Sequence, residues 1–209
     1  LAPQALGRLI PEAAATALQT KLSEAGVQWH FNTTMQSVDR SGENLSVTLA
    51  NGSNITCDFV LSAVGLKPRV DLAKASGITT GTGVQVNREL QTNLPDIYAL
   101  GDCAEVEGLV LPYVMPIMQA ARALAQTLTG QRTALNYPAM PVMVKTPALP
   151  TVVSPPAKGA NGQWKTQSIE GGLEARFESA DGKLLGFVLM GAATAQRAAL
   201  TKELPPILA

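Results

Sequence analysis

The stretch Ile97-Tyr98-Ala99-Leu100-Gly101-Asp102 constrains this chain more than any other. Four residues read as a strand buried in a sheet, and the run stops abruptly at Gly-Asp. In an open α/β sheet, ligands bind where strands end. Gly101 has no Cβ, so a ligand chain can approach its backbone closely. Asp102 offers a carboxylate that accepts hydrogen bonds from hydroxyls. A polyol suits that arrangement. Taken alone, the pair is an ordinary turn; the residues around it reverse that balance.

The elements on either side point to α/β layers. Pro11 to Ala25 is predicted as a helix, with Pro11 where no N–H donor is needed, Glu12 at the positive end of the dipole, and Gly26 as its stop. Val27, Trp29 and Phe31 alternate and predict a short strand. Thr34–Arg40, Leu45–Ala50 and Ser53–Thr56 follow as an antiparallel meander, joined at Ser41-Gly42-Glu43-Asn44 and Asn51-Gly52. Asp58 to Val64 is a continuous apolar run ended by Gly65, the pattern of a strand buried on both faces of a parallel sheet. Val70 to Ser76 predicts a short helix and Val84 to Val86 a strand. Pro116 to Thr129 predicts a helix with Ile117, Ala120, Ala121, Leu124 and Leu128 on one face.

Beyond a linker at Gln131–Pro141 the texture changes. Val142–Lys145, Thr151–Val153, Trp164–Ile169, Leu173–Glu178 and Leu184–Leu189 predict strands, and Thr194–Glu203 a closing helix. This part reads as a separate small α+β domain.

Composition excludes several functions. Apolar residues make up 46%, which argues against disorder. Sixteen basic residues balance sixteen acidic ones, with no basic run, so no nucleic-acid partner is expected. No apolar run reaches the roughly 18–20 residues of a membrane-spanning helix. Cys57 and Cys103 form no Cys-x-x-Cys pair, which excludes a redox dithiol of that kind. His30, the one histidine, sits in an alternating run and has a structural role; no metal site is expected. A cytoplasmic setting follows from these features. Thr80-Gly81-Thr82-Gly83 looks like part of a phosphate loop, but a strand follows it where an anion-binding helix would be needed, so it reads as a plain loop.

Thr92 together with Ile97–Val106, IYALGDCAEV, resembles the second FAD-binding signature of the two-dinucleotide-domain flavoprotein reductases. Phe59 to Pro68, FVLSAVGLKP, resembles the crossover by which that family's chain leaves the NAD domain and returns to the FAD domain. The resemblance implies that Gly101 and Asp102 bind FAD, with Asp102 bonding a ribityl hydroxyl. It also implies that the helix near Pro116 points at the pyrimidine edge of the flavin. Backbone N–H groups of Val114 and Met115 would then stabilise charge that builds there on reduction.

Within the family, Leu111–Leu124 and Pro141–Pro150 are similar to the bacterial rubredoxin reductases, and the likeness runs through essentially all 209 residues. It implies an FAD-dependent enzyme that passes electrons from NADH to the iron of rubredoxin, as in alkane hydroxylation. It places Lys145 beside the isoalloxazine; without the family match, Lys145 is a solvated strand-end lysine. Alternatives are a flavorubredoxin or ferredoxin-type reductase, or a flavin- or partner-binding fragment without catalysis.

The implied fold is α/β: parts of two Rossmann-like FAD/NAD-binding domains, three-layered with an antiparallel meander, then a small α+β C-terminal domain. Residues 1–64 would be the C-terminal part of the NAD-binding domain, 65–135 that of the FAD-binding domain, and 136–209 the last domain. The chain opens Leu1-Ala2-Pro3, without Met, and has neither Gly-x-Gly-x-x-Gly fingerprint that such a reductase needs. Both are expected upstream of Leu1, in a first half missing from this sequence, so the fragment alone is expected to be inactive.

Overall fold

A computed structural model describes residues 1–7 and 9–209. Two compact units emerge, one formed by Leu1–Ala63 with Pro141–Leu204, the other by Val64–Met140 with Pro205–Ala209.

In the first unit, helix α1 (Glu12–Glu24) starts behind Pro11, whose φ of −70° and ψ of 160° set the extended entry. Glu12 in the first turn and Lys21 in the last complement the helix dipole. Gly26 follows at φ +94°, a conformation that favours glycine. Strands β1 (Met35–Ser41), β2 (Asn44–Leu49) and β3 (Asn54–Cys57) form the antiparallel meander in that order. Its turns fall at Gly42 and at Asn51-Gly52, where the Gly52 N–H donates to the Leu49 carbonyl.

The five strands after the linker are the core of this unit. They are β6 (Val142–Val144), β7 (Thr151–Ser154), β8 (Gln163–Ile169), β9 (Gly172–Glu178) and β10 (Leu184–Gly191). They pair antiparallel in the order β6-β7-β10-β9-β8. Central β10 is buried on both sides, and its period of two sends Val188 and Met190 one way, Phe187 and Leu189 the other. Val188 and Met190 join Leu173, Ala175 and the α1 residues Ala14, Ala15 and Leu18. Phe187 and Leu189 join Val152, Ala193 and Leu200. A fully buried side chain of this size contributes roughly 1.5–3 kcal/mol. The closing helix begins as a 3-10 turn, Ala192–Gln196, before α4 (Arg197–Glu203). In chain order that second helix of the unit follows two in the other unit: α2 (Asp71–Ala75) and α3 (Val114–Leu128).

In the second unit, β4 (Val84–Val86) and β5 (Ala104–Val106) form a parallel pair, Val84 opposite Ala104 and Val86 opposite Val106. These four residues pack with Leu90, Leu135, Tyr137 and the α3 residues Ala120, Ala123 and Leu124. Mixed α/β structure with antiparallel sheets is thus present. No helix among the described residues is long and apolar enough to cross a membrane.

Three expected strands are absent. Val27–Phe31 has no ladder; Trp29 instead stacks on Phe31 with ring centroids 5.4 Å apart, and its Nε1 donates to the Ser23 hydroxyl at 3.0 Å. Asp58–Val64 carries no regular structure, and Phe59, Leu61 and Val64 are 76%, 78% and 94% exposed. A strand buried on both faces needs neighbours at both edges, and no described residue pairs with it. Ile97–Leu100 doubles back on its own chain: the Thr92 N–H donates to the Ile97 carbonyl and the Ala99 N–H to the Leu90 carbonyl. Gln91 and Tyr98 form a single bridge there, so the segment is one arm of a tight turn around Pro95.

Candidate functional site

Gly101 and Asp102 therefore do not end a strand; they precede one. The turn Gly101–Ala104 closes on itself, the Ala104 N–H donating to the Gly101 carbonyl at 3.1 Å, and β5 begins immediately. Gly101 has φ +86°, which a side chain would strain, and nothing lies within 4 Å of where its Cβ would be. The space over this peptide is open. Asp102 is exposed beside it. Upstream, Thr92 is buried and closes the Pro95 turn, its hydroxyl accepting from the Leu94 N–H at 3.2 Å.

Helix α3 begins two residues earlier than its sequence pattern suggested, at Val114, so Pro116 falls inside the first turn. That difference decides which donors stay free. A helix leaves its first N–H groups without intrahelical partners. Here the Tyr113 N–H is taken by the Leu111 carbonyl at 2.9 Å, and Pro116 has no N–H. No side chain caps this end, and no acidic residue stands in the first turn. Two amides remain, those of Val114 and Met115, at the positive end of the helix dipole. Both side chains are exposed, Val114 at 71%. Tyr113, extended before the helix, is half-buried against the same core as Ala104 and Val106, and burial pushes its phenol pKa up.

Lys145 lies in the other unit, exposed directly after β6. The turn that follows is firmly closed: the Thr146 hydroxyl donates to the Leu149 carbonyl at 2.8 Å and the Leu149 N–H to the Thr146 carbonyl at 3.1 Å. Val144 packs on the α1 side of the sheet, so the backbone on both sides of Lys145 is anchored while its ammonium faces solvent.

The donor set fits FAD. An open peptide with a neighbouring carboxylate suits a polyol chain, and two free amides at a helix start suit the anionic edge of a reduced ring. Among the described residues no three His, Cys, Asp or Glu side chains gather to hold a metal ion. One residue escaped the sequence reading. Glu105 is a buried acid in the middle of β5, and it accepts from the Gly83 N–H at 2.8 Å and from Gln85 Nε2 at 3.3 Å. An acid inside the apolar pair Ala104 and Val106 was its signal. Thr80–Gly83, read as a plain loop, wraps that carboxylate.

Residues 1–127 match the family model described as pyridine nucleotide-disulphide oxidoreductase. Residues 134–204 match the model of the rubredoxin binding C-terminal domain. A rubredoxin-NAD(+) reductase of Acinetobacter baylyi is 50% identical over 100% of this chain and 54% of its own length. Another, of Alcanivorax borkumensis, is 47% identical over 96% of this chain and 53% of its own length. The crystal structure of a ferredoxin reductase from Rhodopseudomonas palustris is 25% identical with a TM-score of 0.84, covering 100% of this chain and 54% of that one. The chain thus spans about half the length of the curated relatives it matches.

Proposed function

The chain belongs to the pyridine nucleotide-disulphide oxidoreductase family, and from that premise we propose that it is the C-terminal part of a reductase that moves electrons from NADH through FAD to rubredoxin. The observation that carries this reading is that one unit holds both the open Gly101 peptide and the two unpartnered amides of Val114 and Met115. The match of 134–204 to a rubredoxin binding domain supports the choice of partner, as do the names of the two relatives.

On this reading residues 1–64 complete an NAD-binding domain, 65–135 an FAD-binding domain, and 136–209 form the domain that receives rubredoxin. Bound FAD would supply the hydride acceptor and the one-electron donor. Gly101 lets the ribityl chain approach the backbone. Asp102 accepts a hydrogen bond from one of its hydroxyls. Val114 and Met115 donate their N–H groups to the ring's pyrimidine edge, where the helix dipole favours negative charge. Lys145 sets a positive charge where the reduced ring and the acceptor meet. The protein would work in the cytoplasm and feed alkane hydroxylation.

The experiment is an acceptor comparison with the full-length gene product and NADH. Rubredoxin should be reduced faster than either flavorubredoxin or a two-iron ferredoxin. A preference for the ferredoxin or for flavorubredoxin would overturn the partner; NADH turnover with dioxygen but with none of the three protein acceptors would reduce the claim to an oxidase.

A further inference from the structure

Glu105 is the only buried acid among the described residues, and no Lys or Arg pairs with it. A buried carboxylate is costly unless donors satisfy it. Its two donors both come from the segment Gly83–Gln85, across the parallel pair from β5. That segment lies flat against the residues that follow Asp102. A Cβ on Gly83 would stand 2.6 Å from the Cys103 carbonyl oxygen, and one on Gly81 2.7 Å from the Glu105 carboxylate. The Val84 N–H donates to that same Cys103 carbonyl at 2.7 Å. Within the loop, the Gly81 N–H donates to the Gly83 carbonyl at 2.9 Å, so the loop is a closed hairpin around the carboxylate.

We propose that Glu105 is a positioning residue for Asp102: its carboxylate holds the Thr80–Gly83 loop against the Cys103 carbonyl and thereby fixes the Gly101–Asp102 turn for a polyol ligand. The proposal rests on the reading of that turn as part of the FAD site. Without the Glu105 oxygen, the Gly83 N–H loses its acceptor. The grip on Cys103 slackens, and Asp102, which has no side-chain partner of its own, loses its fixed direction. Gly83 is needed because its backbone leaves no room for a side chain against Cys103 and β5, while a side chain at Gly81 would displace the Glu105 carboxylate. The Thr80–Gly83 motif is therefore a brace behind the site.

The test is a double-mutant cycle on FAD affinity in the full-length gene product, with amide hydrogen exchange at Val84 read in parallel. Glu105→Ala should weaken FAD binding about tenfold, the size expected on losing hydrogen bonds to a charged group, and should speed exchange at Val84. In an Asp102→Ala background the same change should weaken binding less than about twofold, because groups acting through one another are not additive. Glu105→Gln keeps an oxygen for the Gly83 N–H and should restore most of the affinity. If Glu105→Ala does not fold, Glu105→Asp, which only draws the carboxylate back, should show the same background dependence at about threefold. Equal losses with and without Asp102 would overturn the positioning role. A parent protein that takes up no FAD would overturn the functional reading beneath it, while Val84 exchange would still show whether Glu105 clamps the loop.

Discussion

The Arg88 guanidinium grips the Leu135 carbonyl through two nitrogens, Nε at 3.1 Å and Nη2 at 2.6 Å. The Leu135 N–H returns a bond to the Arg88 carbonyl at 2.7 Å. The second residue after β4 is thereby tied to the segment that follows α3. Nη1 also bonds the Ala209 carbonyl, while Leu208 bridges Tyr137.

Only a planar fork can hold one oxygen from two sides. Arg88→Lys should therefore cost about 1.5–3 kcal/mol, the range for hydrogen bonds to a charged group. Exchange at the Leu135 amide should accelerate while that of β10 amides stays unchanged. Unaltered Leu135 exchange would contradict the reading.

The end of the β9–β10 hairpin depends on glycine. A Cβ on Gly172 would lie 2.2 Å from the Met190 carbonyl oxygen, and Gly191, its register partner, has φ +57°. Gly172→Ala should lower stability by about 1–3 kcal/mol, as forced overpacking does. Denaturant unfolding measures it, and a midpoint equal to that of the parent would refute the packing account.

Burial raises the pKa of the Tyr137 phenol above its usual 10.0, and the neighbouring Tyr113 phenol adds to the shift. A folded value above the unfolded one means that the folded state holds its proton longer. The corresponding stability is complete below about pH 10 and is lost as pH rises through the folded value. Tyr137→Phe should thus unfold with a flatter pH dependence above about pH 10. A slope as steep as the parent's would show that this phenol does not titrate with unfolding.

Lys145 should matter to the reaction and little to the fold, since it is exposed and has no hydrogen-bond partner in the structure. Lys145→Ala should leave the unfolding midpoint within about 0.5 kcal/mol, as surface changes usually do. Flavin reduction by NADH and rubredoxin turnover should both slow. If both rates stay at the parent's values, the lysine has no part in the site.

Local signals carried most of the first unit. Pro11 and Gly26 bracket α1, Asn51-Gly52 marks the second meander turn, and the alternation of Leu173, Ala175 and Phe177 with Glu174, Arg176 and Glu178 is the buried and open face of β9. Other segments were decided by tertiary partners that no local pattern encodes. Val27, Trp29 and Phe31 have strand spacing, yet Trp29 and Phe31 satisfy each other by stacking. Phe59, Leu61 and Val64 have the hydrophobicity of a central strand and find no ladder. β5 was hidden because Glu105 breaks a three-residue strand at its middle. Gly101, Asp102, Val114 and Met115 became candidates only through the family resemblance of IYALGDCAEV and of the helix near Pro116; by local chemistry alone Gly101-Asp102 reads as a turn. The order of turn and strand at Gly101, and the brace from Gly83, could not be read from sequence, since both depend on a parallel pairing about twenty residues apart.

The central claim is tested most directly by FAD titration of the full-length gene product with and without Asp102→Ala. The parent should bind one FAD per chain, and the variant should bind about tenfold or more weakly, the loss of a charged hydrogen bond to a ribityl hydroxyl. Equal affinity in the two proteins, or no flavin uptake by the parent, would contradict the account.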